Sequence, residues 1–148
     1  MNPVPLFLVV ALVSATVAGM VQTGLVFGAF DGLHEGHRRM LTQAREQCAK
    51  LVVVLAVPEA VRLLKRRVPR QSFDERRAAL LAFNPRIVIE PSDAAIGTWQ
   101  VFERIRPDMI FLGYDQQMIA SELERLGMPY AVLDPHHPER YKSSLLAP

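Results

Sequence analysis

Chemistry in this sequence concentrates in one stretch, Gly28-Ala29-Phe30-Asp31-Gly32-Leu33-His34-Glu35-Gly36-His37. His34 and His37 are three residues apart, so at the start of a helix they project from one face. The glycines let the backbone come close to a bound group. A helix opening here would offer free N–H groups and the positive end of its dipole, which suit phosphate. Two imidazoles at such a terminus are well placed to hold a triphosphate. No acyl nucleophile is evident beside them. A zinc site would need further ligands, and Cys48 is expected on the buried face of the helix, so no metal-ligand cluster is expected.

The elements that must position this segment can be read from periodicity. A β-rich run at 24–30 precedes it, and a helix at about 36–49 follows, with Met40, Leu41, Ala44 and Cys48 on its inner face. The apolar run 51–57 predicts a strand buried on both sides. Pro58 opens a short helix, a basic loop follows, and Ser72 with Glu75 fits a capping box opening a helix that reaches Ala82. Further strands are expected at 86–90, 109–113 and 130–134, with helices at 98–106, stopped by Pro107, and at 119–127, ended by Gly127. Strands alternating with helices predict a single α/β domain of Rossmann type, a five-stranded parallel sheet with helices on both faces. In such sheets ligands bind beyond the carboxyl ends of the strands, where the decapeptide falls.

Composition narrows the function classes. Half of the 148 residues are hydrophobic and 22% are charged, which excludes general disorder and fibrous repeats. A net charge of +2 is too small for a bulk nucleic-acid binder, so no nucleic-acid partner is expected. The basic loop of Arg62, Lys65, Arg66, Arg67 and Arg70 reads by itself as a solvated surface. The single cysteine excludes an internal disulfide and fits a reducing, cytoplasmic compartment. All 17 basic and 15 acidic side chains lie at or after Asp31. The apolar run at 4–18 is too short for a spanning helix and has no basic flank for a signal peptide. Residues 1–19 are therefore read as an extension before a catalytic unit at 20–148, with a weak membrane anchor or a cleaved signal as alternatives.

The decapeptide resembles the GxFDxxHxGH signature of the cytidylyltransferase-like nucleotidyltransferases. Two more segments extend the resemblance. LGYDQ at 112–116 is similar to a strand-end motif of archaeal-type FAD synthases and their cytidylyltransferase relatives, and YKSS at 141–144 to their late Ser/Thr motif. VRLLKRRVPRQSFDERR at 61–77 fits a family pattern in which a lysine precedes a capped helix carrying an arginine, here Lys65 and Arg76.

The resemblance implies transfer of a nucleotidyl group from ATP or CTP to a small phosphorylated acceptor, with Mg²⁺ bridging the phosphates. It assigns His34, His37 and Lys65 to catalysis, and Gly28, Phe30, Asp31, Gly36, Arg76, Gly113, Asp115, Ser143 and Ser144 to nucleotide binding. Adenylation of FMN is the nearest match, and glycerol-3-phosphate cytidylyl transfer the alternative. A module that binds nucleotide without turnover is a reading of another class, and a homodimer is compatible with all three. Family members usually continue into a helix after the Ser/Thr motif, whereas four residues follow Ser144 here, so weak or lost turnover is among the expectations. Asp115 could instead cap the following helix. Trp99 and Phe102 read as core in preference to a flavin platform, and His136 and His137 receive no role.

Overall fold

Val52, Val53 and Val54 are 2%, 0% and 1% exposed although successive side chains of a strand point to opposite faces, so their strand must be covered on both sides. A computed structural model, which describes residues 21–95 and 97–133, shows how. Five strands, β1 (Val21–Gly28), β2 (Cys48–Leu55), β3 (Val88–Pro91), β4 (Met109–Leu112) and β5 (Tyr130–Val132), form one sheet in the order β3-β2-β1-β4-β5. All four pairings are parallel. Five helices connect them: α1 (Glu35–Glu46), α2 (Pro58–Lys65), α3 (Phe73–Phe83), α4 (Val101–Ile105) and α5 (Gln117–Leu126).

The core divides along the two faces of the sheet. Val26, Val53 and Phe111 pack with Leu41 and Ala44 of α1 and Leu80 of α3. Leu25, Val54, Ile110 and Leu112 turn the other way and pack with Val101 of α4 and Leu123 of α5. The chain first builds outward from β1 through β2 to β3, then returns to lay β4 on the other side of β1. Neighbouring connections therefore diverge between β1 and β4, and this divergence leaves a crevice above the carboxyl end of β1.

Several boundaries differ from the sequence reading. The first helix stops at Glu46, and Cys48 is the opening residue of β2, where its thiol reaches the carbonyl of Ala44 at 3.3 Å. A buried cysteine one helical turn beyond Ala44 satisfies a helical period just as well, so the period alone could not separate the two placements. The helix expected over 98–106 is only Val101–Ile105. Its first amide, on Val101, donates 3.2 Å to the carboxylate of Asp93, and the residues ahead of it leave helical geometry, with Gly97 at φ +85 and Trp99 at φ +54. The capping box at Ser72 is present, with Glu75 N–H donating to Ser72 Oγ at 3.0 Å and Ser72 N–H to Glu75 Oε1 at 2.9 Å. No helix among the described residues is long and apolar enough to cross a membrane. The apolar run at 4–18, Asp134, the two late histidines, and Ser143 and Ser144 with their flanks lie outside the described residues.

Candidate active site

The turn after β1 is shaped by its aromatic residue. Phe30 adopts a left-handed backbone, φ 48, which is uncommon for a non-glycine residue. Its ring folds under Gly28, where an added Cβ would stand 2.6 Å from Phe30 Cε2. The other edge of the ring meets His37, centroid to centroid 5.1 Å. Gly28 is thus required by the ring that supports a histidine.

Asp31 turns to the basic loop. It accepts hydrogen bonds from Arg70 N–H at 2.8 Å and Gln71 N–H at 2.9 Å, with Arg67 Nη1 at 3.2 Å. Burial raises the pKa of this carboxyl, but the two amides and the guanidinium together outweigh it and hold the group below its ordinary value. The carboxylate lines the crevice, with its oxygens already committed to clasping residues 67–71 beside it.

The two histidines cap α1 through each other. His37 N–H donates to His34 Nδ1 and His34 N–H donates to His37 Nδ1, both at 3.3 Å. This is the reciprocal geometry of a Ser/Glu capping box built from two imidazoles. Each Nδ1 must carry a lone pair, so in the neutral rings both protons reside on Nε2. The rings stack at 3.6 Å and 19°. Burial, and then the positive charge of Arg38 and Lys65, lowers the pKa of His34. His37 is pushed down to about 3 by burial first and then by His34, Lys65 and Arg38, against a small opposing pull from Asp31. The pair is neutral at pH 7 and presents two N–H donors. His34 Nε2 is buried with no hydrogen-bond partner among the described residues, a donor at the crevice awaiting an acceptor.

This state predicts a pH dependence. An unfolded His37 binds a proton near pH 6.5, whereas the folded one resists it down to about 3. Between those values the unfolded chain holds more protons, so stability is full above about 6.5 and falls as pH drops toward 3. Melting curves between pH 7.5 and 5.5, above the range of ordinary carboxylates, should show a falling midpoint that His37→Asn flattens. Parallel curves for the two proteins would contradict a neutral His37.

His34, His37, Gly28, Phe30, Asp31, Gly36, Lys65, Gly113 and Asp115 all line one cleft of about 490 Å³, a volume suited to a nucleotide-sized ligand. Lys65 is the last residue of α2 and is exposed, facing the histidines closely enough to depress both. Gly113 ends the β4 side, and its amide donates 2.8 Å to Gln116 Oε1, while Gln116 Nε2 donates 3.1 Å to Phe27 carbonyl. Gln116 therefore ties the ends of β1 and β4 across the crevice. Nothing local in LGYDQ marks this role, because which strand a glutamine bridges depends on topology. Gln116 is also the residue preceding α5 at its cap and makes no side-chain cap bond, so Asp115 does not serve as the helix cap. Asp115 is exposed at the cleft.

Arg76 stands apart from the other expected site residues. It is 0% exposed and does not line the cleft. Its Nη1 donates to the carbonyls of Ala29 at 3.0 Å and Ala56 at 2.7 Å, and its Nε to Gln71 carbonyl at 3.2 Å. The guanidinium ties the protein's own strand ends together through Nη1 and Nε, while its Nη2 is buried with no hydrogen-bond partner among the described residues.

No group of three or more His, Cys, Asp or Glu among the described residues could hold a metal ion. The donor set fits Mg²⁺ only as an ion brought in on phosphates, since Mg²⁺ commonly takes one or two carboxylates and fills its remaining positions with phosphate oxygens and water. Asp31, Asp93 and Glu122 are bonded within the protein, which leaves Asp115 as the cleft carboxylate with no partner among the described residues.

Residues 25–133 match the cytidylyltransferase-like family model. The chain belongs to this family. This cytidylyltransferase-like protein is 38% identical over 125 residues to the FAD synthase of Thermococcus kodakarensis, covering 80% of this chain and 81% of that one. It is also 38% identical over 106 residues to the FAD synthase of Methanopyrus kandleri, covering 68% of each. Among solved structures, the lipopolysaccharide core biosynthesis protein from Thermoplasma volcanium shares the fold, with a TM-score of 0.62, 24% identity, and coverage of 76% of this chain and 93% of that one. The protein is a nucleotidyltransferase enzyme.

Proposed function

We propose that this nucleotidyltransferase moves the AMP group of ATP onto FMN, giving FAD and pyrophosphate. The observation that carries the chemistry is the reciprocal cap of His34 and His37, which fixes two Nε2–H donors at a helix N-terminus inside the cleft. The FAD synthase names of its relatives support the choice of acceptor.

A phosphate oxygen of FMN attacks the α-phosphorus of ATP, a new P–O bond forms, and the bond to the β-phosphate oxygen breaks as pyrophosphate departs. The attacking phosphate is already an anion, so the protein need not remove a proton. Its work is positioning and charge stabilisation. His34 and His37 donate to the α- and β-phosphates, where their neutral state lets them give hydrogen bonds and keep no competing proton in flux. Lys65 supplies the full positive charge from the opposite wall. Asp115 would hold a Mg²⁺ carried on the phosphates, and the ion when bound supplies charge neutralisation to them. Ser143 and Ser144 belong to the same proposal as partners of the departing pyrophosphate.

Pyrophosphate release with Mg²⁺ and either ATP plus FMN or CTP plus glycerol 3-phosphate tests this directly. The first pair is expected to turn over, with FAD as product. Release only with the second pair would overturn the acceptor, and nucleotide binding without release from any pair would overturn the enzyme in favour of a binding module.

A further inference from the structure

We propose that Trp99 is the platform on which the planar ring of the acceptor stacks, a reading that deepens the FMN adenylyl transfer above and rests on it. Four observations converge on this residue. The first is backbone geometry. Trp99 sits at φ +54, a left-handed conformation that a bulky side chain rarely adopts and that the surrounding structure must enforce. It lies ahead of α4, so the ring is aimed by this turn and not by a helix face.

The second is immobilisation. The indole Nε1–H donates 3.2 Å to Glu122 Oε1 of α5, and Glu122 is held in turn by Arg125 at 2.9 Å. The third is the stack itself. Phe102 lies parallel to the indole, with centroids 5.4 Å apart and planes 3° apart, and Phe27 meets it edge-on at 5.8 Å and 71°. Phe27 and Phe102 both pack against the core on the α4 and α5 face of the sheet. Trp99 lines the cleft while Phe102 does not, so the indole is the outer plate of an aromatic stack whose inner plate is core.

The fourth is chemical surroundings. The cleft that Trp99 lines also takes in Val101, Ile119 and Met118, the last 84% exposed and flexible enough to follow the outline of a ligand. Two of its polar groups are already engaged: Asp93 accepts from Val101 N–H and Arg104, and Ser92 Oγ contacts Asp93 carbonyl. An apolar wall closed by an aromatic plate recognises a flat, conjugated ring system and offers nothing specific to a small aliphatic acceptor such as glycerol 3-phosphate. The placement also suits transfer. His37 leans on Phe30, which belongs to the core on the α1 face, whereas Trp99 leans on Phe27 above the opposite face. Phosphate donors and ring platform thus flank the end of β1 along one cleft, as a ring joined to a phosphate by a short chain requires.

Trp99 is the sole tryptophan, so no other indole contributes to a flavin stacking signal. Titrating the protein into FMN without nucleotide should quench flavin fluorescence. The quenching should be lost in both Trp99→Ala and Trp99→Phe, because an indole but not a phenyl ring donates an electron to the excited flavin, whereas FMN affinity should be lost in Trp99→Ala and largely kept in Trp99→Phe, whose ring still stacks. In steady state with ATP, Trp99→Ala should raise KM for FMN about ten- to hundredfold, the scale of losing one stacking partner, with KM for ATP unchanged. Flavin binding and quenching without adenylation would support the platform and overturn the reaction. Adenylation of FMN with an unaltered KM in Trp99→Ala would overturn the platform and leave the reaction standing. Failure of FMN to bind at all would overturn both, and Trp99→Phe guards against a variant that loses affinity merely by misfolding.

Discussion

His37→Ala lowers turnover by about 10²–10³, the usual loss when one preorganised donor to developing charge is removed. The donor in question is Nε2–H, and its orientation comes from Nδ1, which accepts the backbone N–H of His34 at 3.3 Å. Alanine therefore removes a hydrogen bond to phosphate and half of the cap that aligns the second histidine. The effect should fall on kcat, with KM for ATP moving much less, because the charge that these donors meet is greatest in the transition state. His37→Asn separates the two losses. An amide oxygen can accept from His34 N–H and restore the cap, but its short side chain cannot place a donor where Nε2 stood. Asparagine is expected to recover the cap's contribution to stability, about 1 kcal/mol, with turnover still reduced by about 10². Rapid-mixing measurement of pyrophosphate release, together with thermal melting of both variants, checks this. Turnover near the unaltered level in either variant would remove His37 from the chemistry.

The legibility of this arrangement in the sequence follows the range of the interactions that make it. The members of the reciprocal cap stand three positions apart, so they are visible as a motif, and the strand ahead of them is visible as an apolar run. The five parallel strands and the two-sided burial were readable for the same reason, since each strand advertises itself locally. What escaped was set by contacts between distant parts of the chain. Trp99 and Phe102 keep a three-residue spacing and lie parallel, 5.4 Å apart, so a helical period was a fair expectation over 98–106. The helix begins later because Asp93, eight residues before Val101, supplies its first amide with an acceptor. Gln116 offered no local sign that its side chain would reach Phe27 carbonyl, 89 residues earlier. Asp31 was readable as a site residue but not as the clasp of a loop some 40 residues later in the sequence, because carboxylates that hold loop amides and carboxylates that hold ligands look alike in one dimension.

Arg76→Met is expected to destabilise the fold by about 2–4 kcal/mol, a larger stability loss than any other substitution considered above. Two effects oppose each other here. Burial of a cation is costly, and among the described residues Arg76 forms no ion pair; burial lowers its pKa, with only a Coulombic pull from Asp31 in opposition. Methionine, apolar and flexible, would relieve that cost. It would also strand the carbonyls of Ala29 and Ala56, which now accept from one Nη1 at 3.0 and 2.7 Å, and each buried acceptor left without a donor costs about 1–3 kcal/mol. The second effect should win because the two carbonyls belong to the ends of β1 and β2, which cannot separate to reach water without breaking the pairing of Gly28 with Leu55. Activity should fall as well, by about tenfold in protein that remains folded, since Ala29 immediately precedes the Phe30 ring on which His37 rests. Arg76→Lys can return one donor but not the fork that reaches both carbonyls, so it should recover part of the stability and less of the rate. Urea unfolding of the two variants beside the unaltered chain measures the difference. A methionine variant as stable as the unaltered chain would mean that the buried charge costs as much as its hydrogen bonds return, and the residue would then owe its place to the shape of the site alone.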